Sequence, residues 1–567
     1  MAPIYEPNPT YAPVGGTVQA GWEAACVRLP GGERTLAIDG PTILDWESVL
    51  AGLGAALSAR SIRYRAVRTE AYFAGWRRIE DRTCTPELAE DPDFARLASV
   101  GLRDFFGELP SLRPSAQEVL VVAGPGAALF RHDLLWYADL PKRYAEAAVR
   151  RGEARNLGQP SDEGAATTRR LFYIDWTVLD RHREEIAATI ALWIDVQDPL
   201  RPTHLDGDTL RRSASSLAGH PLRTRPTFNT APWGGHWGQE QLGFGLHEPN
   251  TAIGYELIAP ESGVLLGDRD GPRVEVPFQL IVGLQPDEVL GEAIRTEFGT
   301  SFPIRFDYLD TVGGGNLSIH CHPQAEYMRR IFGWSYTQHE SYFMMVGGQD
   351  RCVFLGLRGD VRLDAFEQAA QRAVERGEPF RIEDHVQTFP ATQGQLFMIP
   401  AGTPHGSGEG NVVLEVSATP YLYSLRFYDW LRRDSQGKQR PVHVDHAFAN
   451  LNRNRKGDEV SRDLVQSPRS IRSGDGWREE VIGALPEIFY EVRRVVLEGD
   501  TEADDDTSGG FHVLNVVEGD GLLVQAGEGD PHHLNYAETI VIPAAVGRYA
   551  LRRMGDGPVR VVKAFVR

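Results

Sequence analysis

From Leu36 to about Leu217 two textures alternate along the chain. Short apolar runs such as LAIDG and EVLVVAGPG end in glycine. Longer stretches such as WESVLAGLGAALSAR space their apolar residues along one face of a helix. A β-like run, IRYRAVRTEAYF, follows that helix, and RRLFYIDW reads as a further buried strand. Strands and helices in alternation predict a parallel sheet covered by helices. Polar segments rich in Gly and Pro at 152–168 and 200–225 read as loops, and residues 1–30 as an irregular arm.

From about Pro226 the pattern changes to short strands between Gly, Pro and Asp turns: GYELIAP, SYFMMVGG, RCVFLGL, QLFMIPAG and NVVLEVSATPYLYSLRFYDW. One helix, LDAFEQAAQRAVERG at 363–377, interrupts them. Strands resume from about 482 with EIFYEVRRVVL, GFHVLNVVEGDGLLVQAG, ETIVIPAAVGRYAL and VRVVKAFV. Two β-barrels in tandem fit this better than one large sheet. The expected organisation is an arm over 1–34, an α/β domain over 35–225, a first barrel over 226–440 and a second over 441–567.

At 567 residues the chain is too long for one core. Its net charge of −19 argues against a nucleic-acid partner, but a local pocket can still oppose that sign and hold an anion. The only lysines are Lys142, Lys438, Lys456 and Lys563, so a bound phosphate would meet arginine or backbone amides. No run of about 18 apolar residues offers a membrane span. The opening MAPIYEPNPTYAPVGG has neither the basic start nor the apolar stretch of a secretory signal, which points to a cytoplasmic protein. Cys26, Cys84, Cys321 and Cys352 form no CxxC pair and read as buried thiols. A homo-oligomer is compatible with the sequence.

The strongest chemical signal is NLSIHCHP at 316–323. In a strand, His320 and His322 project from one face and Cys321 from the other. Glu340 opens another strand in TQHESYFMM, and His405 follows a Pro/Gly turn in FMIPAGTPHGSG. Imidazoles with a carboxylate suit zinc or another first-row divalent metal, and a barrel can bring such distant segments to one interior. The C-terminal pair His532-His533 has no matching Glu and His, which makes that barrel structural.

LSIHCHP, TQHE, GQLFMIPAGTPHGSG and SLRFYDW together resemble the cupin family of class I mannose-6-phosphate isomerases. PWGGHWG, GYE, FPIRFDYLDT and PVHVDHAF extend the resemblance over about 226–567. It implies that His322, Glu340 and His405 are metal ligands, that His320 replaces a ligand glutamine, and that Arg426 stands at the active site. It further implies aldose–ketose isomerisation of a sugar or sugar phosphate, with His339 a candidate for the proton shuttle by its position. Two family lysines are replaced, one by Gln338-His339 and one by Asp307. The stretch from LAIDGPTILDW onward is similar to a uridine-kinase-like P-loop domain whose phosphate loop is lost, since Pro41-Thr42-Ile43-Leu44 follows Gly40. GPGA at 124–127 reads as a tight turn, not a second phosphate loop. Two rival readings stand beside the isomerase: a non-catalytic carbohydrate or nucleotide-sugar sensor, and an iron-dependent cupin oxidoreductase.

Overall fold

The computed structural model describes residues 5–27, 29, 32–420, 422–434 and 437–567. Its amino-terminal sheet contains five parallel strands in the order Arg63–Arg68, Glu118–Ala123, Arg34–Asp39, Leu134–Asp139, Leu192–Asp195. Thr203–Asp206 and Gln19–Ala20 extend it antiparallel. VLVVA, residues 119–123, is apolar throughout because both faces of the strand are covered. Val119 and Val121 pack with Val49, Leu53 and Leu57 of the helix Trp46–Ala59, while Leu120 and Val122 pack with Ile174 and Val178 on the other side. Asp45 caps the first of these helices by accepting from Ser48 N.

Gly40 serves close packing here, since a Cβ there would lie 2.2 Å from the Ala138 carbonyl oxygen. The amides of the GPGA turn are already used. Asp39 accepts from Gly126 N at 3.1 Å and from Ala128 N at 2.8 Å, and His182 Nε2 lies 2.9 Å from the same carboxylate.

Three expectations for this region are corrected. RRLFYIDW is helical, running as Thr168–Arg170, Leu171–Asp175 and Trp176–Ile186 with Thr167 capping Arg170 N. Segment 200–225 holds the strand Thr203–Asp206 and the helix Gly207–Leu217. The amino-terminal arm carries a short helix, Trp22–Val27, and a strand, Thr10–Tyr11, paired to Gly263–Gly267.

Beyond Thr227 the chain forms two double-sheet barrels of the jelly-roll kind. The first joins a seven-stranded sheet to a five-stranded one, and the second a six-stranded sheet to a four-stranded one. The strand Val465–Gln466 pairs with Leu396–Ile399 and so lies in the first barrel. The helix Leu363–Arg376 falls where its periodicity placed it, whereas the helical stretch Phe278–Phe298 was not legible. One hydrophobic core runs from the parallel sheet through both barrels. Polar ties cross the barrel seam: Tyr490 Oη donates to Val416 O at 2.9 Å, and Tyr308 Oη to Ala537 O at 2.8 Å.

The amino-terminal sheet is fastened to the rest of the chain through Glu275, in the strand Arg273–Pro277 of a separate three-stranded sheet with Thr10–Tyr11 and Gly263–Gly267. Its buried carboxylate accepts two 2.7 Å hydrogen bonds from Arg143 and one from Arg225, and its backbone N–H donates to Asp195 at 2.8 Å. No helix among the described residues is long and apolar enough to cross a membrane. Cys26 and Cys321 are buried as expected, but Cys352 is half-buried and Cys84 is exposed.

Candidate metal centre

The first barrel brings His320, His322, Glu340 and His405 together, with one donor atom from each lying within 4.8 Å of all the others. The local folding follows from simple rules. In Ile319–Cys321 the apolar side chains pack outward, with Cys321 Sγ near Ala447 O in the peripheral cluster, so the pleat turns His320 inward. His320 pairs across the ladder with His405 on one side and Arg426 on the other. Gly402 takes φ +80° in the turn before His405, and a Cβ there would lie 2.5 Å from Asn450 O, so glycine alone fits. Glu340 begins the strand Glu340–Val346 in the facing sheet.

The hydrogen bonds fix the state of each ring. Nδ1 of His320 lies 2.9 Å from Ser318 O, Nδ1 of His322 3.2 Å from Tyr423 O, and Nδ1 of His405 2.8 Å from Thr403 O. A carbonyl can only accept, so each Nδ1 carries the proton and each Nε2 presents a lone pair. His322 Nε2 and His405 Nε2 each lie 2.8 Å from an oxygen of Glu340, acceptor facing acceptor, without forming a hydrogen bond. Such a grouping is repulsive by itself and becomes favourable around a cation. Burial pushes His320 and His322 below the ordinary histidine value, keeping both neutral; neighbouring imidazoles add to this for His320. The donor set fits zinc or another first-row divalent ion, with backbone carbonyls orienting the rings.

Above the cluster lies a cavity of about 970 Å³ whose lining includes His320, Glu340, Tyr342 and Arg426. The Arg426 guanidinium donates to Pro441 O at 3.2 Å, and no carboxylate lies within ion-pair distance of it among the described residues. Burial, with Arg440 beside it, brings its pKa down to about 10. His339 does not line the cavity: its Nδ1 accepts from Ala401 N at 3.1 Å, and burial lowers it to about 4. The proton shuttle expected at His339 gains no support from this geometry, because Nδ1 is committed to the backbone and the residue is not among those lining the cavity.

Sequence reasoning passed over a charged group on the cavity floor. Arg305 donates from Nε to Ser417 Oγ at 2.6 Å and reaches Glu340 and Glu415 through Nη2. Asp307 is buried, its Oδ1 accepts no hydrogen bond and lies 3.8 Å from Arg305 Nε, and burial raises its pKa to about 7. The signal lay in alternation, since R-F-D and E-V-S place charged and polar residues on one face of otherwise apolar strands. In the second barrel, the strand His532–Asn535 leaves His533 exposed and His532 half-buried.

Two double-sheet barrels, the first bringing three imidazoles and a carboxylate together, define a tandem jelly-roll protein with a candidate metal centre and a parallel α/β unit. Residues 21–219 match a family model described only as a domain of unknown function, DUF8485. The chain is 23% identical over 335 residues to the probable mannose-6-phosphate isomerase GmuF of Bacillus subtilis, covering 59% of this chain and 96% of that protein. It is 25% identical over 345 residues to the mannose-6-phosphate isomerase ManA of the same organism, again covering 59% and 96%. Among solved structures, a Bacillus subtilis mannose 6-phosphate isomerase is similar at 18% identity and TM-score 0.48, covering 61% of this chain and 99% of that one.

Proposed function

We propose that this protein is a metal-dependent aldose–ketose isomerase acting on a sugar phosphate. The observation that carries this reading is the convergence of three Nε2 lone pairs and the Glu340 carboxylate at the floor of the cavity. His320, His322, Glu340 and His405 would hold the ion. When bound, a divalent ion supplies Lewis-acid polarisation of the sugar carbonyl.

Isomerisation removes a proton from the carbon beside the carbonyl, passes through an enediol, and returns a proton to the former carbonyl carbon. Arg426, next to His320 on the ladder and without a carboxylate partner, stabilises the negative charge that develops on the sugar oxygens. Asp307 suits the proton transfer: it lines the cavity, has an oxygen without a hydrogen bond that lies 3.8 Å from Arg305 Nε, and its raised pKa lies near neutral pH.

The test is incubation of the holoprotein with hexose and pentose phosphates and free sugars in heavy water. Deuterium entering C1 or C2 of at least one sugar phosphate is expected. No incorporation across the panel would leave the sensor reading in its place.

A further inference from the structure

The cavity over His320 and Glu340 is not walled by the barrels alone. One side is formed by the helix Lys142–Arg151 of the amino-terminal unit, which contributes Glu146 and Arg150. Arg143, Glu146 and Arg150 fall at i, i+3 and i+7, on one stripe of that helix, while Ala145 and Val149 are buried beside it. The start of the stripe is anchored, because Arg143 makes its two 2.7 Å hydrogen bonds to Glu275. Glu146 and Arg150 pair with each other at the cavity mouth. Tyr255, also in the lining, pairs with Asp307 across the ladder at the floor. Burial pushes its phenol above the usual range, and Glu146 and Asp307 are among the charges that add to the effect.

The lining holds as many carboxylates as arginines, so an anionic group would be held by individual arginines and not by a net positive field. Arg426 and Arg440 line the same cavity, and no lysine does among the described residues. A volume of about 970 Å³ stands near the upper end of the roughly 300–1,000 Å³ typical of small-molecule sites, which leaves room for a ligand to reach from the floor to the helix.

We infer that the amino-terminal unit is a working part of the substrate site, with Arg150, oriented by Glu146, binding the anionic group of a sugar phosphate whose other end lies over the histidine–glutamate cluster. The inference takes its substrate from the isomerase reading, whereas the shared cavity stands independently of it. Arg150 is thus a specificity-determining residue supplied from outside the barrels.

The experiment uses the full-length holoprotein as wild type, Arg150→Ala and Arg150→Lys. Titration calorimetry with inorganic phosphate is combined with steady-state kinetics on whichever sugar phosphate turns over. Loss of one charge-assisted contact should weaken phosphate binding and raise KM about tenfold in Arg150→Ala, with kcat changed by less than about twofold. Arg150→Lys should recover part of the loss. Metal content and Tm should not move, because an exposed i,i+4 pair contributes little to stability. Phosphate affinity and KM staying within about twofold of wild type would overturn the inference, as would a wild-type protein that binds no phosphate. Arg150-dependent phosphate binding without turnover would end the isomerase reading and keep the shared site. Turnover indifferent to Arg150 would do the reverse.

Discussion

Replacing Glu275 by alanine should loosen the amino-terminal unit from the rest of the chain. The Glu275 side chain is 2% exposed and accepts three charge-assisted hydrogen bonds, two from Arg143 and one from Arg225, with Gln197 Nε2 adding a fourth at 3.2 Å. Removing one partner of a buried ion pair costs about 3–5 kcal/mol when the remaining charge stays buried. Arg143 and Arg225 are 25% and 29% exposed, so both can rehydrate in part, which reduces the expected cost to about 2–3 kcal/mol. For a unit of this size that corresponds to a fall in Tm of about 5–10 °C.

The pH dependence gives a second reading. Burial raises the Glu275 pKa, but Arg143 and then Arg225 outweigh it and hold it below the ordinary glutamate value of about 4.5. Its contribution is therefore complete above about 4.5 and is lost as pH falls through the lower folded value. Urea melts of wild type and Glu275→Ala at pH 7 and again near pH 3 are the assay. The gap between them should be full at pH 7 and shrink at the acid end. A difference below about 0.5 kcal/mol at pH 7, or a gap that widens on acidification, would refute the reasoning.

Two further outcomes follow from the site. Arg426→Ala should lower kcat by about 10²–10³ while leaving bound metal unchanged, which kinetics and elemental analysis can check together. Asp307→Asn should lower kcat by about 10²–10⁴. Because a base must be ionised to act, wild-type kcat should rise with pH through about 7, and that limb should vanish from the variant's pH profile.

The four-residue cluster was legible because each piece obeys a local rule: period two for His320 and His322, a strand start for Glu340, and a Pro/Gly turn before His405. The floor of the cavity was not. Arg305 meets Ser417 and Glu415 only because the strands Ile304–Asp310 and Val412–Ala418 pair across more than a hundred intervening residues, and no local pattern gives that pairing. RRLFYIDW misled because a short apolar aromatic run fits strand and helix equally. Its continuation through Ile174 and Val178, four residues apart and both buried, decides for helix. In 207–217 the Ser and Gly content hid Leu210, Ala214 and Leu217, which are helically spaced and buried. Glu146 and Arg150 could not be read as site residues at all, since their role depends on how two separately patterned units dock.

The central claim is that one divalent ion is held by His320, His322, Glu340 and His405. Elemental analysis with X-ray absorption spectroscopy on the purified holoprotein tests it most directly. The account predicts one first-row ion per chain with only nitrogen and oxygen neighbours at about 2.0–2.2 Å, outer scattering from imidazole rings, and loss of the ion in Glu340→Gln. A metal-free protein that cannot be loaded, a sulfur neighbour at about 2.3 Å, or an ion that persists in the variant would contradict it.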